Sequence, residues 1–218
     1  MLPMPRLTRP ARGPRIGLLG GSFNPAHGGH LHVSREAIRR LGLDELWWVV
    51  SPGNPLKPEA GMAPFAARLA SARAVARGNS RIRATGIETR LGTRYTVDTV
   101  LALGRRLPHL KFMWLMGADN LATFHRWRGW RAIARAAPIA VFARPRYVGD
   151  SLTAPAMGWL RGFRHAAETA RDWPRWRCPA VVILPIRLDP TSATAIRARD
   201  PDWADRLDRR SPTERPLV

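Results

Sequence analysis

Six short apolar runs, at residues 16–19, 46–51, 81–84, 111–116, 138–143 and 180–184, alternate with longer stretches of helical periodicity. Runs of four to six residues, apolar on both faces and separated by helices, are buried only when helices cover each side of a parallel sheet. The helical stretches fall at 29–41, 64–77 and 96–107, with a broken one over 120–136. Their lengths suit right-handed crossovers from one parallel strand to the next. An α/β fold follows, with a doubly wound parallel sheet and helices on both faces.

A chain of 218 residues with 45% hydrophobic content buries one core of ordinary size without disulfide or metal staples. The pattern therefore predicts a single Rossmann-like domain over residues 15–199. Residues 1–14 and 200–218 are rich in Pro and Arg, have no sustained period, and read as mobile tails. Between the fifth and sixth runs, 144–179 diverges from the pattern: it holds Trp159, Trp173 and Trp176, read as core or lid packing, and a helix is expected near 151–171. The lone Cys178 can form no internal disulfide.

No apolar run has the length of a signal peptide core or a membrane span, so a cytoplasmic protein with no membrane partner is expected. The formal charge is +20, yet Lys57 and Lys111 are the only lysines among 36 basic residues, and the arginines are spread along the chain. Such a distribution argues against a stable nucleic-acid partner and favours small anionic substrates. A monomer and a homo-oligomer are equally compatible with it.

The first chemical motif is GLLGGSFNPAHGGHLHVSREAI, starting at Gly17. An apolar strand ends in Gly20 and Gly21 and passes through a short loop into an amphipathic helix. The glycines let a ligand approach the backbone, and the helix start offers free N–H groups to an anion. His27 and His30, three residues apart, share a helix face. Two imidazoles could bind a metal, but His32 lies on another face and no third ligand is at hand, so no protein metal site is expected. The segment has neither GK[ST] nor GxGxxG, which excludes a P-loop and a dinucleotide fingerprint. It reads as a phosphate-binding loop. The second motif, DPTSATAIRARD, begins at Asp189 and combines capping hydroxyls with Arg197 one turn into a helix, a second anion site.

The segment His27-Gly28-Gly29-His30 resembles the HxGH motif of the nucleotidyltransferase superfamily, and Ser192 to Arg197 resembles its serine-serine-threonine-x-x-arginine motif. Three more segments narrow the resemblance to the bacterial type of nicotinate (nicotinamide) mononucleotide adenylyltransferase. They are SPGNPLKP with Lys57, RYTVDTV with Tyr95, Thr96 and Asp98, and LMGADNLATFHRWRGW with Gly117, Asp119, Phe124 and Trp127. The resemblance implies adenylyl transfer from ATP to nicotinate mononucleotide, with His27, His30 and Arg197 as catalytic residues. ATP would be held by Gly20, Gly21, Ser22, Phe23, His27, His30, Gly117, Asp119, Ser192, Thr194 and Arg197. The mononucleotide would be held by Asn24, Lys57, Tyr95, Thr96 and Trp127, with Trp127 stacking on the pyridine ring, while Trp114 and Trp130 pack in the core. Mg2+ is expected, bound mainly through substrate phosphates. Position 24 departs from the family, being Asn where many relatives have Asp. Two rival functions are adenylyl transfer to another phosphorylated acceptor such as phosphopantetheine, and a non-enzymatic nucleotide- or nucleic-acid-binding module.

Overall fold

The computed structural model describes residues 13–53, 61–143, 152–187, 189 and 191–208. Seven strands form one parallel sheet: β1 (Arg15–Gly21), β2 (Glu45–Val50), β3 (Ile82–Thr85), β4 (Lys111–Gly117), β5 (Ile139–Ala143), β6 (Arg164–His165) and β7 (Val181–Pro185). Their order is β3-β2-β1-β4-β5-β7-β6, with every pair parallel. Strand order reverses between β1 and β4, and in such sheets ligands bind outside the carboxyl ends at that point. All six expected strands are present; the two-residue β6 was not anticipated.

The apolar runs work because side chains of a strand alternate between faces and each face has its own core. Trp47, Trp114, Val141 and Ile183 point into one core, with α4 (Thr96–Arg106), α5 (Ala118–Phe124) and α6 (Trp130–Ala136). Their neighbours Trp48, Met113, Phe142 and Leu184 point into the other, with α1 (Gly28–Leu41) and α2 (Phe65–Ala76). The expected break in 120–136 is Gly129, at φ 62° between α5 and α6. A short helix, α3 (Ile87–Leu91), follows β3 where none was expected.

Two expectations are corrected. The helix near 151–171 is replaced by α7 (Met157–Leu160), a 3-10 turn at Arg161–Phe163, the edge strand β6, and a 3-10 helix at Ala167–Arg175. Gly158 and Gly162 weaken a continuous α-helix there, and the edge pairing of β6 with β7 takes the backbone instead. Trp173 from this segment is 2% exposed and donates Nε1–H to Leu41 O at 3.0 Å, so it belongs to the core. Residues 200–208 are not a tail: after α8 (Ala193–Arg199), Trp203 is buried and α9 (Asp205–Asp208) packs on α2. At the other end, Pro14 O already accepts from Lys111 N at 2.8 Å.

Candidate active site

At the carboxyl edge of β1 and β4 lies a cavity of about 1020 Å³, lined by residues from both sequence motifs. That volume is at the upper end of the roughly 300–1,000 Å³ usual for ligand pockets. It suits two nucleotides side by side.

The β1–α1 loop forms its floor. His27 caps α1: its Nδ1 accepts from Gly29 N at 3.1 Å, while His30 Nδ1 accepts from His27 N at 3.2 Å. This is a capping box written with two imidazoles in place of Ser and Glu. A ring nitrogen that accepts a backbone N–H carries no proton, so each neutral ring keeps its proton on Nε2. Burial, with His27 next to it, pushes His30 down to about 3, and burial also lowers His27 against the opposing pull of Asp189. Both rings are therefore uncharged hydrogen-bond donors at neutral pH. Their centroids are 4.0 Å apart, and His30 rests 4.7 Å from the ring of Phe23. Phe23 is stacked on Trp48 and holds φ at 48°, a left-handed conformation costly for a residue with a Cβ.

The second motif docks on the first. Arg197 donates to the Asn24 carbonyl at 2.5 Å and to Thr194 Oγ1 at 3.3 Å, and His32 Nε2 meets Arg187 O. Ser192 caps α8 by accepting from Ala195 N at 3.1 Å. Asp189, Thr191 and Ala193 line the cavity beside His27 and His30. Ser192, Thr194 and Arg197 stand directly behind that wall and are not part of it.

Across the switch point, Gly117 and Asp119 line the opposite wall at the β4–α5 junction. The Asp119 carboxylate folds back over Gly117, so that a side chain there would have to displace it. Gly20 is constrained likewise: a Cβ would come within 2.6 Å of the Trp114 ring. Trp114 is 2% exposed, as expected for a core residue, yet it also borders the cavity.

The far end of the cavity is lined by Tyr95, Thr96 and Trp127. Trp127 is held edge-on against Trp114 at 6.3 Å and Phe124 at 5.4 Å. Arg128 lies over the Tyr95 ring at 4.6 Å, and Arg94 and Arg126 join it in lining this end. The arginines were absent from the sequence reading, since a solvated and a site arginine look alike in an Arg-rich chain.

Asn24 borders the cavity, as expected, and also has a structural task. Its amide donates to Gly61 O at 2.9 Å and accepts from Ala63 N at 3.1 Å, so it fastens the loop before α2. Lys57 lies outside the described residues. Two functional candidates escaped the sequence reading entirely. Arg68, on α2, is 2% exposed and donates to four carbonyls: Ala63 at 2.9 Å, Ser22 and Ser51 at 2.7 Å each, and Pro52 at 3.0 Å. Burial lowers its guanidinium, and no carboxylate among the described residues pairs with it. Glu88, on α3, is a buried carboxyl in the cavity wall.

The β1–α1 loop and the start of the Ser192 turn thus meet at one cavity at the switch point, the second motif tied to the first by Arg197. The cytidylyltransferase-like family model matches residues 18–199. A probable nicotinate-nucleotide adenylyltransferase of Erythrobacter litoralis is 59% identical over 192 residues, spanning 88% of this chain and 87% of that protein. The chain belongs to the nicotinate-nucleotide adenylyltransferase family. A second member, from Parvibaculum lavamentivorans, is 52% identical over 187 residues, spanning 86% of this chain and 92% of its own length. The fold is also that of the Plasmodium falciparum nicotinic acid mononucleotide adenylyltransferase complexed with NaAD, with TM-score 0.62, 16% identity, and coverage of 85% and 83% of the two chains. Among the described residues no helix is long and apolar enough to cross a membrane.

Proposed function

We propose that this member of the family transfers the adenylyl group of ATP to nicotinate mononucleotide, giving nicotinate adenine dinucleotide and pyrophosphate in NAD biosynthesis. The observation that carries this reading is the convergence of the two motifs, Arg197 being hydrogen-bonded to Asn24 beside the two histidines. A phosphate oxygen of the mononucleotide attacks the α-phosphorus of ATP. The bond from that phosphorus to the bridging oxygen breaks, and pyrophosphate leaves in line. The attacking oxygen is already anionic, so no general base is needed, and the protein's contribution is alignment and charge stabilisation.

In this reading the Nε2–H groups of His27 and His30 donate to the transferring phosphate as charge builds on it. Arg197, with Ser192 and Thr194, flanks the β- and γ-phosphates. Gly20, Gly21, Ser22 and Phe23 bring the loop backbone close to ATP, and Asp119 accepts from the adenosine ribose beside Gly117. The mononucleotide occupies the end bounded by Tyr95, Thr96 and Trp127, where Arg94 and Arg128 favour an acidic ring substituent. Lys57 is proposed as a phosphate contact. Trp127→Ala is expected to raise KM for the mononucleotide about tenfold, from ~1–3 kcal/mol of ring stacking. KM for ATP stays within about twofold, and equal losses for both substrates would rule stacking out.

Magnesium belongs to the proposal as a partner of the triphosphate. Among the described residues no group of three His, Cys, Asp or Glu could cage a metal. Single carboxylates, Asp189 and Asp119, do line the cavity, which fits a cation held mainly by phosphate oxygens with little protein ligation. Bound there, it supplies neutralisation of the triphosphate charge. The deciding assay incubates the purified protein with ATP, Mg2+ and nicotinate or nicotinamide mononucleotide, and measures pyrophosphate and dinucleotide. Turnover with the nicotinate form that EDTA abolishes is expected. No dinucleotide with either would refute the function, and EDTA-insensitive turnover would refute the cation.

A further inference from the structure

Glu88 stands in the first turn of α3, immediately beyond the carboxyl end of β3. It is 4% exposed and lines the same cavity as Ser51, Tyr95 and Thr96. Its Oε1 accepts from Thr99 Oγ1 of α4 at 3.1 Å, while the nearby Ser51 hydroxyl at the end of β2 donates to Gly53 O at 2.8 Å. Oε2 is buried and has no hydrogen-bond partner among the described residues. An ionised oxygen in that position would forfeit the hydration of a full negative charge with nothing to replace it.

The groups packed around this carboxyl are hydroxyls. Ser51 comes from the β2 end and Thr99 from α4, the latter bonded to Thr93 at 2.8 Å. The charged and titratable side chains of this end of the cavity are Arg94, Tyr95, Arg126 and Arg128; among the described residues none of them hydrogen-bonds or pairs with Glu88. Arg128 is engaged over Tyr95 instead. A carboxyl without a cation, buried in the wall of a cavity for anions, repels them when ionised and does not when protonated.

We propose that Glu88 is a specificity-determining residue that stays the uncharged acid when the mononucleotide binds, so that the cavity wall beside that substrate carries no negative charge. This inference rests on the proposed reaction. Burial supports it independently, pushing the Glu88 carboxyl up to about 7 against the opposing pull of the Thr99 and Ser51 hydroxyls. The sign follows: below about pH 7 the proton is present and the wall is neutral, while above it the free site turns negative and repels the substrate. Binding at pH 8 must then draw a proton from the buffer.

The test uses the full chain and calorimetric titration of nicotinate mononucleotide from pH 7 to 9, a range in which the substrate phosphate stays a dianion. The expected Kd weakens by up to about tenfold per pH unit above 7. At pH 8 the binding enthalpy varies with the buffer's ionisation heat, indicating uptake of one proton. Glu88→Gln keeps a neutral side chain at every pH, so its Kd profile is flat and its enthalpy independent of buffer. Thr99→Val removes the donor to Oε1 and moves the onset of weakening to higher pH. It decides the matter should the Gln variant fail to fold. A flat wild-type profile, an unshifted Thr99→Val onset, or a Gln variant that keeps the wild-type slope overturns the role of Glu88. Dinucleotide formation at pH 7, measured alongside, separates the two failures, since its absence overturns the assigned reaction itself.

Discussion

Replacing His30 with alanine is expected to lower kcat by about 10²-fold or more, with a smaller effect on KM for ATP. The expectation comes from how the ring is held. Its Nδ1 is occupied by the His27 backbone N–H, and its plane is set against Phe23. Burial keeps it neutral, with its pKa near 3. The one remaining proton, on Nε2, is therefore fixed in direction before substrate arrives, and a preorganised donor gains most in the transition state, where charge on the transferred phosphate is greatest. The substitution also removes half of the capping box, a loss of about 1 kcal/mol of stability. Steady-state kinetics are accordingly to be read on protein whose melting curve shows it folded. Normal kcat in such protein would refute the donor role.

Arg68→Ala is expected to destabilise the fold by about 3–5 kcal/mol, since four carbonyls lose their donor at about 1–3 kcal/mol for each one left buried and unsatisfied. Four carbonyls, from Ser22, Ser51, Pro52 and Ala63, converge on this one guanidinium. They belong to the β1–α1 loop, the β2 end and the entrance to α2, three pieces of chain that this one side chain holds together. Removing the donor leaves these acceptors facing a void. Arg68→Lys should recover little, because an ammonium cannot span the fork that a planar guanidinium fills. The check is the shift in denaturation midpoint of both variants, and a loss below about 1 kcal/mol for Arg68→Ala would show that the network is dispensable. Since Ser22 and Ser51 line the cavity, partly folded Arg68→Lys protein should also bind ATP poorly.

How much of this was legible in advance depended on the kind of signal each residue left. Ala-rich α2 shows why Arg68 was missed: with small residues all round the helix, nothing in FAARLASARAVA says which face is inward. Glu88 was missed because a charged residue two positions before Arg90 and beside Thr89 looks like an ordinary solvated turn. The helix expected over 151–171 failed for the opposite reason, since local periodicity was present but an edge of β7 was available to capture the chain. Nothing in the sequence showed that Asn24, besides bordering the cavity, ties down residues 61–63 with its two amide bonds.

By itself the sequence determined the alternation of strand and helix, the two-sided core, and the two loop-to-helix motifs that meet beside the cavity. Those properties are local or periodic: they depend on which side chains repeat at two or 3.6 residues and on glycines and caps at chain turns. Tertiary structure alone decided that Arg197 lies against Asn24, that a neutral imidazole pair rather than a cationic one faces the cavity, and that Glu88 and Arg68 are buried beside it. Burial and proximity between residues up to 173 positions apart arise only when the strand order reverses at β1 and β4, and protonation states follow burial, not composition.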